Sequence, residues 1–444
     1  MIHPARPTAA DRGLAAWEIV SVLVLLGVLV WFGFLTHYRS TRVQERMTDF
    51  GVYTRAAWAV RVGLNPYDIP DDRGWHYLYP PTFVLMMLPL ADPPLGTDRT
   101  GYLPYSVSVA IWYVLNVMLL FLTVHLLAKT ALPDAVRYTR RWWYARLVPL
   151  DAGLLALGYT LSRGQVNILV LFCLALLLFW RNKAHVAGWC LALACCIKVL
   201  PGLLIVWPML TKRWGLLLGL VLGSFVFLLG FPALVWGWSG AVELNKTFLS
   251  RVAAPSVTNT GDSTIHKEFS GTTSTDSQAL QAIVHAWRYP DRTTRPEVCD
   301  SLTKGIHYGI GLLLLGVTLI VGWKQRSMLM HPIPALLFVG ALCVLMVHIA
   351  PASHMHYYSY SLVLFTGLTA LDLQRHPTRA VPTARTMTGL LLWMILTGVP
   401  LIDSVPVCNM LRDFGLAVTA NLALWAWGLW ELRSLVVANL ATTD

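Results

Sequence analysis

The sequence predicts an all-α polytopic membrane protein, a bundle of about 12 transmembrane helices. Its 444 residues are 56% hydrophobic and only 13% charged, with a mean hydropathy of +0.57. A soluble domain carries about 25% charged residues. Apolar runs of roughly 15 to 22 residues recur along the chain, long enough to cross a hydrocarbon layer of about 30 Å. Residues 1–444 are therefore interpreted as a single integral membrane domain.

The first apolar run, 17–36, predicts an uncleaved helix because it is about 20 residues long and no small-residue cleavage site follows it. Further spans are predicted at 104–128, 147–161, 165–180, 184–198, 199–211, 214–235, 305–323, 331–350, 358–373, 388–403 and 412–434. The apolar segment 83–90 is shorter and fits a re-entrant segment.

Basic residues explain the formal charge of +11 and predict the topology. They concentrate in short connections at 129–146, 181–183, 212–213, 324–330 and 374–387. The positive-inside rule assigns these connections to the cytoplasm. Both termini then lie inside, and the long loops 37–103 and 236–304 share the outer face. No basic stripe is interleaved with aromatic residues, so nucleic acid is not an expected partner.

Motifs for metals, nucleotides and acyl nucleophiles are not evident. The seven cysteines are scattered, and five of them fall inside apolar segments, so neither a metal motif nor a disulfide framework is predicted. A pairing of Cys299 with Cys408 stays open. No Gly-x-Ser-x-Gly motif and no glycine-rich nucleotide loop follows a strand. No cofactor is predicted.

The first outer loop holds a candidate acid. It begins Met47-Thr-Asp-Phe-Gly-Val-Tyr53, and apolar residues at helical spacing through Leu64 predict an amphipathic helix on the membrane surface. Asp49 stands at the amino end of this helix. It either caps the helix or acts as a general base for an attacking hydroxyl. The spacing alone does not choose between these roles.

Three further polar groups fall on the same outer face, at 162–167, around Lys198 with Pro201, and at 351–358. Polar side chains at membrane depth are costly and often functional. The alternative for Arg163 is a solvated turn, and for Gln165 and Asn167 it is an interhelical hydrogen bond. Lys198 must either snorkel to the interface or meet an anion.

The pair His354 and His356 lies in a short loop with Tyr357. Such a pair can bind a metal, donate to a phosphate or sit in the aromatic belt. Without a nearby carboxylate or cysteine the metal signal is weak, so phosphate contact is the favoured interpretation and no metal site is predicted.

The second long loop contains Asp262, His266, Lys267 and Glu268, followed by the segment 273–285. That segment begins with Thr-Ser-Thr-Asp-Ser, which predicts a capped helix start, and continues as an amphipathic helix.

Seven short motifs follow one another along the chain: Asp49-Phe-Gly-Val-Tyr53, Gly63-Leu-Asn-Pro-Tyr67, Tyr79-Pro-Pro81, Arg163-Gly-Gln-Val-Asn167, Lys198 with Pro201, Thr275-Asp-Ser-Gln-Ala-Leu280, and Pro351-Ala-Ser-His-Met-His-Tyr357. In this order they resemble glycosyltransferase family 87, which includes bacterial polyprenyl-phosphate-mannose-dependent alpha-mannosyltransferases. The resemblance implies a GT-C fold in a bacterial plasma membrane, with the active site facing the periplasm. It also implies that the acidic residue of the first outer loop, here Asp49, is the catalytic base.

The resulting hypothesis is the transfer of a hexose, with mannose favoured, from a polyprenyl-phosphate-sugar donor to a hydroxyl of a lipid-linked or glycan acceptor. The predicted mechanism is one inverting displacement with Asp49 as base. The donor phosphate is expected to contact His356, Lys198 and Arg163. The predicted sugar or acceptor pocket comprises Tyr53, Tyr79, Gln165, Asn167, His354, Tyr357 and Gln278.

Two motifs depart from the family pattern. The family has Ser-Trp-x-His-His or Ser-Trp-x-His-Tyr where this chain has Ser353-His-Met-His-Tyr357, and Gly-Asn-Gln-Ser where this chain has Ser274-Thr-Asp-Ser-Gln278. A transporter or flippase for an anionic lipid or glycolipid is the main alternative, since a translocation path also uses intramembrane cations. An outer-face acyltransferase or ligase, without a base at Asp49, is a second, and a structural scaffold a third.

Overall fold

The structure is a computed structural model that describes residues 13–42, 47–255, 277–402 and 405–440. Every regular element within these ranges is a helix. The first α-helices are α1 (Ala16–Arg42), α2 (Thr48–Arg61), α3 (Pro81–Met86), α4 (Tyr105–Ala131), α5 (Arg140–Ala152), α6 (Leu154–Arg163), α7 (Asn167–Phe179), α8 (Ala184–Ile197), α9 (Val206–Leu210) and α10 (Trp214–Phe225). There follow α11 (Phe231–Phe248), α12 (Leu280–Arg288), α13 (Ser301–Lys324), α14 (Pro332–Ile349), α15 (Leu362–Arg375), α16 (Ala384–Gly398), α17 (Pro406–Phe414) and α18 (Leu416–Leu440).

Among the described residues, six helical stretches are long and apolar enough to cross a membrane: Ala16–Arg42, Tyr105–Ala131, Trp214–Ala253, Ser301–Lys324, Pro332–Ile349 and Ala384–Leu401. Three shorter apolar helices, at Asn167–Phe179, Ala184–Ile197 and Leu200–Leu210, coincide with other predicted spans. The prediction of an all-α polytopic membrane protein is therefore confirmed.

Some element boundaries in the structure differ from those predicted from the sequence. Residues 236–253, placed in the second long loop, continue the helical stretch that begins at Trp214, with a kink at Gly237, whose φ is +70°. The segment 83–90 forms part of α3 and a 3-10 turn at Leu88–Leu90. With six residues α3 is about 9 Å long, too short to cross a membrane.

The basic connections meet at one end of the bundle, as expected if they share one side of a membrane. The contacts are Arg181 with the Met330 carbonyl, Arg213 with the Arg181 carbonyl, Arg141 with the Leu373 carbonyl, and Lys129 over the Phe179 ring. Helix α7 begins at Asn167, within one of the polar motifs, and ends at Phe179, at the basic end. The polar motifs therefore lie at the opposite end of the bundle.

Helix α14 forms the centre of the bundle, and almost all of its side chains are buried. At the periphery α1 exposes nearly its whole length, which in a membrane faces lipid. Between apolar helices in lipid, close van der Waals packing replaces the hydrophobic driving force.

Two glycines bring α8 and α10 into backbone contact. A Cβ on Gly188 would collide with the backbone of Leu216, and one on Gly219 would lie 2.5 Å from the His185 carbonyl oxygen. Small residues permit this close approach between membrane helices. Because Lys198 directly follows α8, this packing also fixes the position of its side chain.

We expect Gly188→Ala to destabilise the protein. Alanine normally stabilises a helix by about 1 kcal/mol relative to glycine. Here its methyl group meets the backbone of α10, and overpacking costs about 1–3 kcal/mol. The unfolding midpoint in detergent should fall for Gly188→Ala and not for Gly27→Ala, whose Cβ would have nothing within 4 Å. Equal midpoints for the two variants would contradict the close packing.

Candidate active site

Asp49 lies in the first turn of α2 but does not cap it. The N-cap residue is Met47, and no side chain accepts a capping hydrogen bond there. The capping alternative is therefore wrong. The predicted surface helix is also wrong, because α2 buries most of its residues inside the protein, including Phe50 and Tyr53, which are fully buried. Loop segments after the helix cover its second face, as the hydrogen bond from Asp92 N to the Thr54 carbonyl illustrates.

A glycine turn holds the start of α2 in place. Gly164 ends α6 in the left-handed region with φ of +69°. A Cβ at this position would lie 2.6 Å from Phe50 Cβ and 3.1 Å from Met47 Sδ, and the Gly164 carbonyl accepts a hydrogen bond from Trp112 Nε1 at 2.8 Å. Only glycine fits this conformation and contact without strain. The turn thus places Asp49 beside the residues that follow α6.

The Asp49 carboxylate is surrounded by hydrogen-bond donors and cations. Thr48 Oγ1 donates to Asp49 Oδ2 at 3.3 Å, and Gln165 also donates a hydrogen bond to the carboxylate. Burial raises the pKa of Asp49 above its ordinary value, while Arg163, Gln165 and Lys198 act against this shift by stabilising the charged form. A carboxylate with a raised pKa is a stronger base than an ordinary one and is suited to accept a proton.

Two tyrosines share the amide oxygen of Gln165. The hydroxyl oxygens of Tyr53 and Tyr79 lie 2.9 Å apart, and 3.2 and 3.3 Å from Gln165 Oε1. The rings meet edge to face with centroids 5.0 Å apart. This arrangement orients the Gln165 amide so that its NH₂ group points to Asp49 while its oxygen accepts from the tyrosines.

Lys198 is buried, with only 6% of its surface exposed, so it does not snorkel to the interface. Its Nζ donates to Asn167 Oδ1 at 2.8 Å and lies 3.9 Å from the centre of the Tyr357 ring and 5.5 Å from that of Tyr79. It also interacts electrostatically with Asp49. One hydrogen bond and two ring faces leave donors on the ammonium group for a further acceptor.

Asn167 makes the interhelical hydrogen bonds expected from the alternative interpretation. It is fully buried. Its Oδ1 accepts from Lys198 and from Tyr360 Oη at 3.1 Å, and its Nδ2 donates to the His356 carbonyl at 2.9 Å. Thr160 Oγ1 donates to the same carbonyl at 3.1 Å. Asn167 is thus placed to orient Lys198 and the 3-10 turn Met355–Ser361.

His356 is buried, and neither of its ring nitrogens has a hydrogen-bond partner. The ring stacks between aromatic neighbours, with centroids 4.6 Å from Tyr357, 5.5 Å from His354 and 6.1 Å from Tyr159. Lys198 and Arg163 act on it electrostatically. Buried polar groups without partners are rare and point to a bound group that supplies the missing hydrogen bond.

Arg163 is half-buried and does not form a freely solvated turn. Its guanidinium lies over the Tyr159 ring, 4.7 Å from the centroid, and its charge is the largest one acting on Asp49. The partly exposed side chains in this region include Asp49, Tyr79, Arg163, His354 and Tyr357. They mark the side on which the cluster is open.

Gln278 lies beside the 351–358 loop. Its backbone N–H donates to the Ser353 carbonyl at 2.5 Å, and its side-chain Oε1 is buried without a partner. The predicted helix begins at Leu280, with Ala279 at the N-cap and no side-chain cap, so the predicted Ser/Thr/Asp cap is wrong. Residues 262–276, which include Asp262, His266, Lys267, Glu268 and Asp276, lie outside the described residues.

Within the described ranges, no three His, Cys, Asp or Glu side chains are grouped closely enough to hold a metal ion. The same ranges include all seven cysteines and contain no disulfide, so Cys299 and Cys408 do not pair.

Sequence patterns did not single out Tyr159, Thr160 and Tyr360. The first two lie one turn before Arg163 on α6, and Tyr360 follows Tyr357 by one turn of the 3-10 segment. Their spacing from predicted site residues could have identified them, since residues three or four apart on a helix share a face.

Fold and site together define a polytopic membrane protein with an acid beside a buried lysine and a half-buried arginine at one end of its helical bundle. A family model for glycosyltransferase family 87 matches residues 77–351, more than half of the chain. The chain therefore belongs to glycosyltransferase family 87, as the resemblance implied, and is a transferase enzyme. No curated protein matches the chain.

The matched segment contains Tyr79, Arg163, Lys198 and other site residues but not the whole site. Asp49 precedes it, and His356 follows it by a few residues. The structure links these outlying residues to the matched segment through the contacts of Gln165 and Asn167 described above.

Replacing the glycine of the turn tests how Asp49 is positioned. In Gly164→Ala the new methyl group meets Phe50 and the backbone is strained, so the start of α2 must shift. A misplacement of about 1 Å costs roughly 100-fold in rate. We expect glycosyl transfer to fall by about that factor while the folded protein persists in gel filtration. The control is Gly158→Ala on the same helix, which has open space and should keep its activity.

Proposed function

We propose that the protein transfers a hexose, mannose first, from a polyprenyl-phosphate-sugar donor to a hydroxyl of a lipid-linked or glycan acceptor. The transfer takes place at the outer membrane face and inverts the configuration at the sugar. The observation that carries this proposal is the Asp49 carboxylate beside Lys198 and Arg163, with the unpartnered imidazole of His356 in the same cluster. An acid and three groups that can bind a phosphate thus lie in one cluster.

The proposed step is a single displacement. The acceptor oxygen bonds to the anomeric carbon as the bond from that carbon to the donor phosphate oxygen breaks. The acceptor proton moves to the Asp49 carboxylate, and the bonding electrons leave with the polyprenyl phosphate, which gains a negative charge. Lys198 and Arg163 stabilise that charge. Attack from the face opposite the leaving group inverts the anomeric carbon.

His356 contributes a neutral donor to the phosphate. An imidazole N–H hydrogen-bonded to a phosphate oxygen would satisfy a nitrogen that has no partner in the protein. Tyr53, Tyr79 and Gln165 hold the acceptor side near Asp49, while Tyr357 covers Lys198. His354, at the partly exposed edge, and Gln278, beside Ser353, extend the pocket on the side of the 351–358 loop.

Helix length supports a lipid-bound donor. α7 and α8 have 13 and 14 residues and begin or end at the site, so each is about 20 Å long. A hydrocarbon layer is about 30 Å thick. With the basic end at one membrane surface, Asn167 and Lys198 lie below the opposite one. A phosphate attached to a polyprenyl chain reaches this depth from within the membrane.

The base assignment is tested by Asp49→Asn in the full-length protein in detergent, with radiolabelled polyprenyl-phosphate mannose and a broad acceptor extract. Loss of a general base should lower the transfer rate by about 100-fold to 10,000-fold. Donor binding should persist because Lys198, Arg163 and His356 remain. Asp98→Asn is the matched control, since that exposed aspartate lies in the same loop region and, among the described residues, bonds only within its own turn.

Retained transfer in Asp49→Asn would remove Asp49 as the base and would assign that role to another group. If the wild-type protein transfers nothing from mannosyl, glucosyl or arabinosyl lipid phosphates, the proposed donor class is wrong.

The pH profile gives an independent test. A base works only when deprotonated, so activity should be present above the pKa of Asp49 and disappear as pH falls through it. Because burial raises this pKa, the acid limb should lie above the value of about 3.9 for an ordinary aspartate. In Arg163→Gln the limb should move to higher pH, because Arg163 lowers the pKa of Asp49. A limb that is unmoved by this substitution would show that another group controls it.

A further inference from the structure

A second cluster of cations lies at the opposite end of the bundle from Asp49. A pocket of about 260 Å³ opens between the end of α4 and the start of α5. Its polar and aromatic lining consists of His125, Lys129, Arg137, Tyr138, Trp142 and Arg146. No carboxylate lines this pocket, and its other described lining residues are apolar.

Arg146 forms the floor of the pocket and is 8% exposed. Its guanidinium lies 3.5 Å from the centre of the Trp142 ring, its Nη1 donates to the Trp142 carbonyl at 2.6 Å, and its Nε donates to His125 Nδ1 at 3.4 Å. Both acceptors are uncharged. A guanidinium has five N–H donors, so several remain available to a ligand.

Neighbouring arginines on α5 are satisfied by the protein itself. Arg140 forms an ion pair with Glu18 at 2.5 Å, and Arg141 donates to the carbonyls of Leu373 and Pro377. Among the described residues, Arg146 has no such anionic partner. Burying a charge without a counter-ion is costly, so an anion from outside the chain would stabilise the buried guanidinium.

The rim adds more positive charge. His125, Lys129 and Arg137 are exposed, and Lys129, Arg137 and Arg146 all act electrostatically on His125. These positive charges repel one another unless an anion lies between them. An anion with several acceptor oxygens, such as a phosphate group, can contact more than one of them at once.

The outer face of α4 indicates where this phosphate comes from. Exposed apolar residues recur at helical spacing along one face, and Met118 and Leu122 lead to His125 and Lys129 on that face. An apolar stripe that ends in a basic pocket matches a lipid, with acyl chains along the helix and the headgroup at its end. The positive-inside rule assigns this end to the cytoplasm, where leaflets carry anionic lipids.

We propose that this pocket binds the headgroup phosphate of an anionic glycerophospholipid. Arg146 contacts the phosphate from below, Lys129 and Arg137 from the rim, and the acyl chains lie against the Met118–Leu122 face of α4. The bound lipid supplies the negative charge that the buried guanidinium lacks and ties α4 to α5.

Native mass spectrometry of the delipidated full-length protein tests this. Phosphatidylglycerol and phosphatidylcholine with identical acyl chains are titrated into wild type, Lys129→Gln/Arg137→Gln and Arg146→Gln. Phosphatidylglycerol should bind the wild type more tightly than phosphatidylcholine. Its affinity should fall by about fivefold for each rim charge removed. The rim residues are exposed, so their substitution leaves a folded protein for measurement even if Arg146→Gln does not fold.

Arg326→Gln is the matched control. Arg326 lies at the same basic end, 4.5 Å over the Trp323 ring and bonded to the Trp323 carbonyl, but outside the pocket. Its substitution should leave the affinity unchanged. Equal binding of the two lipids, or equal losses in the rim variant and in Arg326→Gln, would overturn the proposal. Inorganic phosphate that binds without lipid and displaces phosphatidylglycerol would assign the pocket to a soluble anion and overturn the lipid source.

Discussion

A buried cation must find polar partners, and the arrangement of Lys198 follows from this constraint. An ammonium group at membrane depth is costly, and the side chain here cannot escape to the interface. The protein meets the cost with one amide oxygen, from Asn167, with the faces of Tyr357 and Tyr79, and with the charge of Asp49. Each partner comes from a different part of the chain, so contacts with one ammonium group connect those parts of the structure.

Packing elsewhere in the fold fixes the positions of the groups around Lys198. The glycine contacts between α8 and α10 fix where Lys198 emerges, and the left-handed turn at Gly164 fixes where Asp49 lies. The carbonyl of His356 receives hydrogen bonds from Asn167 and Thr160, which hold the 3-10 turn at the same level. Most of these contacts use backbone groups, which explains how a site built from loops and helix ends keeps a defined geometry.

Sequence reasoning predicted the helical class from the length of the apolar runs, and it found the candidate site residues in short polar runs. Both are local patterns in the sequence. It did not predict that α2 is buried. An apolar stripe looks the same whether it faces lipid or protein, and only the position of the segment after the helix decides between the two. Tyr360 was missed for a similar reason, since its partner Asn167 lies far away in the chain and no local spacing connects them.

The two kinds of charge in the site also influence each other. Lys198 and Arg163 favour the ionised form of Asp49 by opposing the effect of burial on its pKa. In the proposed reaction the donor phosphate takes up part of this positive charge when it binds. Less of it then acts on Asp49, whose carboxylate becomes a stronger base. The coupling is reciprocal, so a protonated Asp49 should leave the cations freer to hold phosphate. The groups that receive the leaving phosphate thus also determine when the base is strong, and they make it strongest when the donor is in place.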